Sequence, residues 1–178
     1  VHSYDAAGRR TSSKDARGRL IQFHYDALSR LLTATSNGEV QSIAWDDCAG
    51  GKGRICRITD PTGNIQFNYN ELGLLANQSI TLPASGSATH AFTYDAAGRL
   101  TGIGHPGNIG VGYSYVNGML RSITASIQGT AQVIATQIAH QPFGAMRSWT
   151  YGNDLTRAQT FDLDGRVTEM ATKNGSTY

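Results

Sequence analysis

The chain has 178 residues, a net charge of +2 and only 16% charged residues, with twelve Arg against three Lys and ten Asp against three Glu. No apolar run approaches the length of a membrane span, and the Arg residues are spread along the chain instead of gathered between aromatics, which argues against membrane insertion and against a nucleic-acid partner. Two cysteines are too few for a disulfide scaffold or a four-thiolate zinc site.

Taken in chain order, one phrase recurs: Tyr4-Asp5-Ala-Ala-Gly8-Arg9, Tyr25-Asp26-Ala-Leu-Ser29-Arg30, Tyr69-Asn-Glu-Leu-Gly73-Leu, Tyr94-Asp95-Ala-Ala-Gly98-Arg99-Leu100 and, in weaker form, Phe161-Asp162-Leu-Asp-Gly165-Arg166. The anchors Tyr4, Tyr25, Trp45, Tyr69, Tyr94 and Tyr115 follow one another at 21, 20, 24, 25 and 21 residues. That is the period of a stacked array. The array is expected to occupy residues 1–178 and to be cut within a repeat at both ends, since Val1 stands just before a motif Tyr and Tyr178 stands 17 residues after Phe161.

A second aromatic precedes the anchor by two residues in Phe23/Tyr25, Phe67/Tyr69, Phe92/Tyr94, Tyr113/Tyr115 and Trp149/Tyr151, with a polar residue between them. A two-residue step places both rings on one face of a β-strand. The Asp after the anchor is suited to accept backbone N–H groups two or three residues on, and the Gly three positions later suits the positive φ of a type I turn with a bulge. Ser29 stands where Gly is needed, so its turn is expected to be less regular. Arg after Gly is placed to pair with the turn Asp.

The return strand opens with Leu31, Ile55, Leu75, Leu100, Leu120 or Val167, often with another apolar residue three positions on, as in Ile55/Ile58, Leu100/Ile103, Leu120/Ile123 and Val167/Met170. An odd spacing sends side chains to opposite faces, so either a bulge intervenes or both faces are covered. A second turn ends each unit, as at Ser36-Asn37-Gly38, Asp60-Pro61-Thr62-Gly63 and His105-Pro106-Gly107-Asn108. Each repeat reads as one long hairpin. A lone hairpin buries too little to fold, so neighbours must pair edge to edge.

Residues 116–150 break the rhythm. Tyr115 and Tyr151 lie 36 residues apart, which reads as a unit and a half with a loop insertion around Gln128-Gly129. Cys48 and Cys56, eight apart, could close one loop or remain unpaired.

No chemistry stands out. Asp46, Asp47 and Cys48 with His24 or His105 match no ligand spacing, and Asp46 holds the turn position after Trp45. No Ser sits in a nucleophile elbow, and Gly50-Gly51-Lys52-Gly53 lacks the ending that a phosphate loop requires. The expectation is therefore no catalytic residue, no cofactor and no metal. Aromatics displayed on a surface would instead suit an adhesive array that binds carbohydrate or protein.

Tyr-Asp-x-x-Gly-Arg-Leu at about 21 residues, together with Pro142-Phe143-Gly144, Trp149-Thr-Tyr-Gly-Asn153 and Phe161-Asp-Leu-Asp-Gly-Arg166, resembles the Rhs/YD-repeat family. The resemblance implies an all-β array of tandem antiparallel hairpins in a curved, spiralling sheet, part of a hollow shell. In bacterial members the shell encloses a C-terminal toxin, similar shells occur in insecticidal toxin complexes, and teneurins carry a related barrel on the cell surface. By that resemblance the partners are neighbouring repeats and an enclosed toxin domain, in a secreted or cell-surface protein of bacterial origin. The family's self-cleavage motif has paired Asp-Pro-x-Gly elements. This chain has one, Asp60–Gly63, and no catalytic residue is carried over.

Overall fold

The structure is a computed structural model that describes residues 1–142 and 144–174. Phe143 and Tyr178, read above as parts of repeats, lie outside the described residues. Among the described residues all sixteen elements are β-strands, each paired antiparallel with the next in chain order. The architecture is thus all-β, built of tandem hairpins. Two compact units divide the chain, Val1–His90 and a second that begins at Ala91.

The first unit holds β1 (His2–Tyr4), β2 (Arg10–Lys14), β3 (Leu20–Tyr25), β4 (Leu31–Ser36), β5 (Glu39–Trp45), β6 (Ile55–Asp60), β7 (Gly63–Tyr69), β8 (Leu75–Leu82) and the start of β9 (Gly86–Tyr94). Its register sorts side chains by chemistry. One face carries a ladder of Ile43, Ile58, Ile65 and Ile80 across four strands, on the side of Phe67 and Tyr69. The other carries His24, Thr33, Ser42, Thr59, Asn64 and Thr81 in successive register. Thr81 extends that row to β9 through a 2.8 Å hydroxyl contact with Ser87. The period-two alternation of these strands is what separates the faces.

The second unit continues from β9 with β10 (Leu100–His105), β11 (Ile109–Val116), β12 (Met119–Ile127), β13 (Thr130–His140), β14 (Met146–Tyr151), β15 (Leu155–Phe161) and β16 (Val167–Asn174). Among the described residues the buried side chains are Cys56, Ala135, Ile138 and Thr156, three of them in this unit. The aromatic pairs are half-buried. Trp149 and Tyr151 meet edge to face with centroids 5.9 Å apart.

A bulge explains the odd apolar spacing. Tyr94 faces Leu100, but Thr93 faces Gly102 and Phe92 faces Ile103, so Thr101 is an extra residue. Removing it from the count puts Leu100 and Ile103 two rungs apart and on one face. The same slip separates Ile55 from Ile58, Leu120 from Ile123 and Val167 from Met170.

Residues 116–150 keep the period. Gln128-Gly129 is a two-residue hairpin turn between Ile127 and Thr130, where a loop insertion was expected. Both turn residues have positive φ, 50° and 85°, like Asn37-Gly38 and Asn117-Gly118, which matches the twist of the flanking strands. At the next turn Gln141 N–H donates to Ala145 O and Gly144 N–H to Gln141 O, the pair of bonds that closes the Asp-x-x-Gly-Arg turns. His140 precedes this turn and faces Met146 with the usual slip, so it occupies the anchor position. The interval from Tyr115 to Phe161 therefore divides at His140 into 25 and 21 residues. The irregularity that remains is within β13, where Gln137 has φ 52° and the register shifts between Thr136 and Ala139.

Candidate functional site

The repeated turn recurs in both units. At the first, Asp5 N–H donates to Arg9 O at 2.9 Å and Gly8 N–H to Asp5 O at 3.0 Å. The Asp5 Oδ1 accepts the N–H groups of Ala7 at 3.0 Å and Arg9 at 2.9 Å, and Oδ2 takes the Arg9 Nε–H at 2.7 Å. The carboxylate therefore reaches two and four residues on, not two and three, because the Gly8 N–H is already taken by the Asp5 carbonyl. Asp26 and Asp95 repeat this arrangement on Arg30 and Arg99. Asn70 does the same to Leu72 and Leu74 with an amide oxygen.

The Ser29 turn is not less regular than the others. Ser29 takes φ 63°, close to the values of Gly8, Gly73 and Gly98, and the Asp26 bonds are unchanged. The side-chain and backbone bonds from Asp26 hold a conformation that Ser disfavours. Asp15–Arg19 is a further copy of the turn that no aromatic announces, with Arg19 Nε on Asp15 Oδ2 at 2.9 Å. Its Asp-x-x-Gly-Arg spacing was the available signal.

The motif Arg belongs to two repeats. While its Nε–H binds its own Asp, the Arg9 guanidinium lies 5.3 Å from the Tyr25 centroid, in the following repeat. Arg30 lies 5.0 Å from Trp45, Arg54 5.2 Å from Tyr69 and Arg99 4.8 Å from Tyr115. Each of these rings returns a hydrogen bond to the carbonyl just after the Arg that covers it. Tyr25 donates to Arg10 at 2.9 Å, Trp45 to Leu31 at 2.9 Å, Tyr69 to Ile55 at 2.7 Å and Tyr115 to Leu100 at 2.8 Å. Polar tip and π-face are both engaged. Two direct bonds reinforce the joint, Arg9 Nη1 to Asp26 O at 3.0 Å and Arg30 Nη2 to Asp46 Oδ2 at 2.8 Å.

These bonds set the electrostatics. The Arg9, Arg19, Arg30 and Arg99 backbone N–H groups hold Asp5, Asp15, Asp26 and Asp95 below the usual carboxylate range, with the Arg side chains adding to the effect. Asp46 is lowered first by the Arg30 side chain and Asp60 first by the Thr62 hydroxyl.

Tyr4, Leu74 and Arg166 depart from the pattern. Tyr4 is 61% exposed, and Gly73 is followed by Leu74 in place of Arg. Tyr94 is half-buried opposite Leu100. Asp162 makes the turn bonds to Asp164 and Arg166, but the Arg166 guanidinium goes to Asp164 at 3.5 Å and is largely exposed. Gly165 keeps the turn φ of 77°.

The two cysteines, left open by their spacing, are bonded, with Cα atoms 5.5 Å apart. Among the described residues no three His, Cys, Asp or Glu side chains form a cluster that could hold a metal. His24 and the acidic pair Asp46-Asp47 are not brought together as a site.

Residues 4–40 and 69–108 match the RHS repeat. No match is found among curated proteins. Among solved structures, a chain in the crystal structure of TcdB2-TccC3-Cdc42 superposes with a TM-score of 0.84 at 20% identity over 97% of this chain. A chain in the Photorhabdus luminescens Tc holotoxin pore carrying a TccC3 mutation gives 0.84 at 20% identity over 98%. The crystal structure of TcdB2-TccC3 without its hypervariable C-terminal region gives 0.85 at 21% identity over 97%. This chain spans 10% of the length of each of those chains, and the likeness is one of fold. Motif, strand register and these matches together identify RHS repeats at residues 4–40 and 69–108, and the fold of the described chain is similar to that of the TcdB2-TccC3 chains.

Proposed function

We infer that this chain is a non-catalytic structural segment of a larger protein, one stretch of wall in a β-shell that encloses a toxin or effector domain delivered against other cells. The observation that carries the reading is the interlock of motif residues. Arg and anchor side chains, which a binding surface would turn outward, are engaged in joining one repeat to the next. Phe67, Tyr69, Phe92 and Tyr94 are all half-buried, which favours the structural reading over an adhesive one. The shared fold with chains of the TcdB2-TccC3 structures supports the same reading. Its partners are neighbouring repeats and an enclosed domain, and its setting is a secreted or cell-surface protein of bacterial origin.

Limited proteolysis of the native parent protein tests this. A domain that resists protease while the shell is intact, and is digested once the repeats are unfolded, is the expected result. Equal susceptibility of that domain in both states would overturn the reading, and retention on a glycan array would favour adhesion instead.

A further inference from the structure

The Trp45 hairpin closes unlike its neighbours. Nine residues, Asp46–Arg54, separate its anchor from its first return residue, where the Tyr25 and Tyr94 turns use five. Asp46 does not hold its own Arg: its Oδ1 accepts Gly53 N–H at 2.6 Å and its Oδ2 meets Arg30 of the preceding repeat. The longer loop is instead tied at its base by Cys48–Cys56. Cys56 is the bulge residue of this hairpin, standing between Ile55, which faces Trp45, and Arg57, which faces Ala44.

The crest of the loop reaches the following repeat. The Ala49 carbonyl accepts the Tyr69 N–H at 3.0 Å. A Cβ on Gly50 would stand 2.7 Å from the Tyr69 carbonyl oxygen and 2.9 Å from that of Asn70, so only glycine lets the crest lie this close. Gly51 is buried, and a Cβ there would fall on both sulfurs. Disulfide, glycine pair and Tyr69 amide thus form one connected unit, added to the Arg54–Tyr69 joint that the ordinary turns already supply.

We propose that Cys48–Cys56 is a redox latch: oxidised, it holds the 48–53 crest on Tyr69-Asn70, and reduced by a dithiol, it releases the crest and the Tyr69 amide. Cys48 is the point of attack, being half-buried where Cys56 is 4% exposed. A thiolate of the dithiol bonds to the Cys48 sulfur, the Cys48–Cys56 bond breaks, and Cys56 leaves as a thiolate that takes a proton from water. The second thiol then displaces Cys48 from the mixed disulfide. Two electrons pass to the cystine, and the dithiol is oxidised to its own disulfide. The latch would be open in a reducing cytosol and closed after export.

Hydrogen exchange read by mass spectrometry on the native protein, before and after dithiothreitol, tests this, with thiols counted by iodoacetamide. Reduction without denaturant should yield two alkylated cysteines and about tenfold faster exchange in the 47–54 peptide and at Tyr69, while the Asp95–Arg99 turn keeps its rate. Re-oxidation should restore the original rates. The double variant Cys48→Ser, Cys56→Ser should exchange fast from the start and ignore dithiothreitol. Two titrated thiols with Tyr69 unchanged would mean that hydrogen bonds alone hold the crest, and the proposal fails. It fails equally if the thiols react only in denaturant, or if Asp95–Arg99 accelerates along with the crest, since the bond would then be inaccessible or a support of the whole fold.

Discussion

The guanidinium of Arg54 lies 5.2 Å from the centre of the Tyr69 ring, and the Tyr69 hydroxyl donates to the Ile55 carbonyl at 2.7 Å. A residue that closes one turn thereby covers the ring of the next repeat, and that ring answers the residue beside it. Where it occurs, at Arg9, Arg30, Arg54 and Arg99, such a joint ties one hairpin to the next. Stability in a repeat array resides largely in such nearest-neighbour terms.

Arg54→Ala should therefore weaken the protein by ~0.5–1 kcal/mol, the worth of a partly exposed cation–π contact. Tyr69→Phe keeps the ring and removes its donor, at a cost of about 1 kcal/mol. Denaturant titration checks both, and the Tyr69→Ala single variant with the Arg54→Ala, Tyr69→Ala double completes a double-mutant cycle that measures the coupling. Additive effects would mean that the stacking contributes nothing.

Acid should loosen the turns. The carboxyls of Asp5, Asp15, Asp26, Asp46, Asp60 and Asp95 all have lowered pKa values in the folded chain. A folded value below the unfolded one means stability that is complete above about pH 4 and lost as pH falls through the folded value. Thermal denaturation across pH should show a level midpoint from about pH 8 to 5, as far as these groups act, then a decline below about pH 4. Asp95→Asn should be less stable at neutral pH and decline less steeply. A midpoint that drops well above about pH 5 would mean that groups other than these carboxyls set the sensitivity.

Ser29→Gly should stabilise the chain. Ser29 holds φ 63° in a turn whose other copies use Gly. The left-handed conformation costs an L-residue roughly 1–2 kcal/mol, and the extra freedom of Gly when unfolded takes back roughly half of that. A net gain of about 0.5–1 kcal/mol in denaturant titration is expected, reduced slightly by loss of the long 3.5 Å contact from Arg9 Nη1 to the Ser29 hydroxyl. A loss of stability would show that this hydroxyl matters more than the backbone.

Gly152→Ala should act in the opposite direction for a different reason. Its φ is not positive, yet a Cβ would collide with the Val133 carbonyl oxygen, a backbone atom that cannot move without disturbing β13. A loss of about 1–3 kcal/mol is expected, as for other overpacked sites. Gly104→Ala, whose Cβ would make ordinary contact with Ala91, 3.6 Å from its Cβ and 4.0 Å from its carbonyl oxygen, serves as the control and should cost far less. Equal losses for the two would place the effect in chain entropy rather than in the collision.

Strands, turns and the period were legible in the amino-acid sequence because their causes are local. Asp5 reaches N–H groups within four residues of itself, Gly8 supplies its own φ, and Phe23 and Tyr25 share a face by the geometry of a single strand. The anchor at His140 escaped that reading because it is not Phe, Tyr or Trp and has Gln in place of Asp after it; the backbone bonds of Gln141–Ala145 and the register of His140 on Met146 reveal it. The bulge that aligns Leu100 with Ile103 depends on which rung of β9 each residue faces. Which ring lies under Arg9, which carbonyl receives Tyr69 and whether Cys48 meets Cys56 were decided only by the tertiary structure. Those contacts join residues 8 to 16 positions apart: the ring contacts depend on how one hairpin lies along its neighbour, and the disulfide on how the 46–54 loop folds back on its own hairpin.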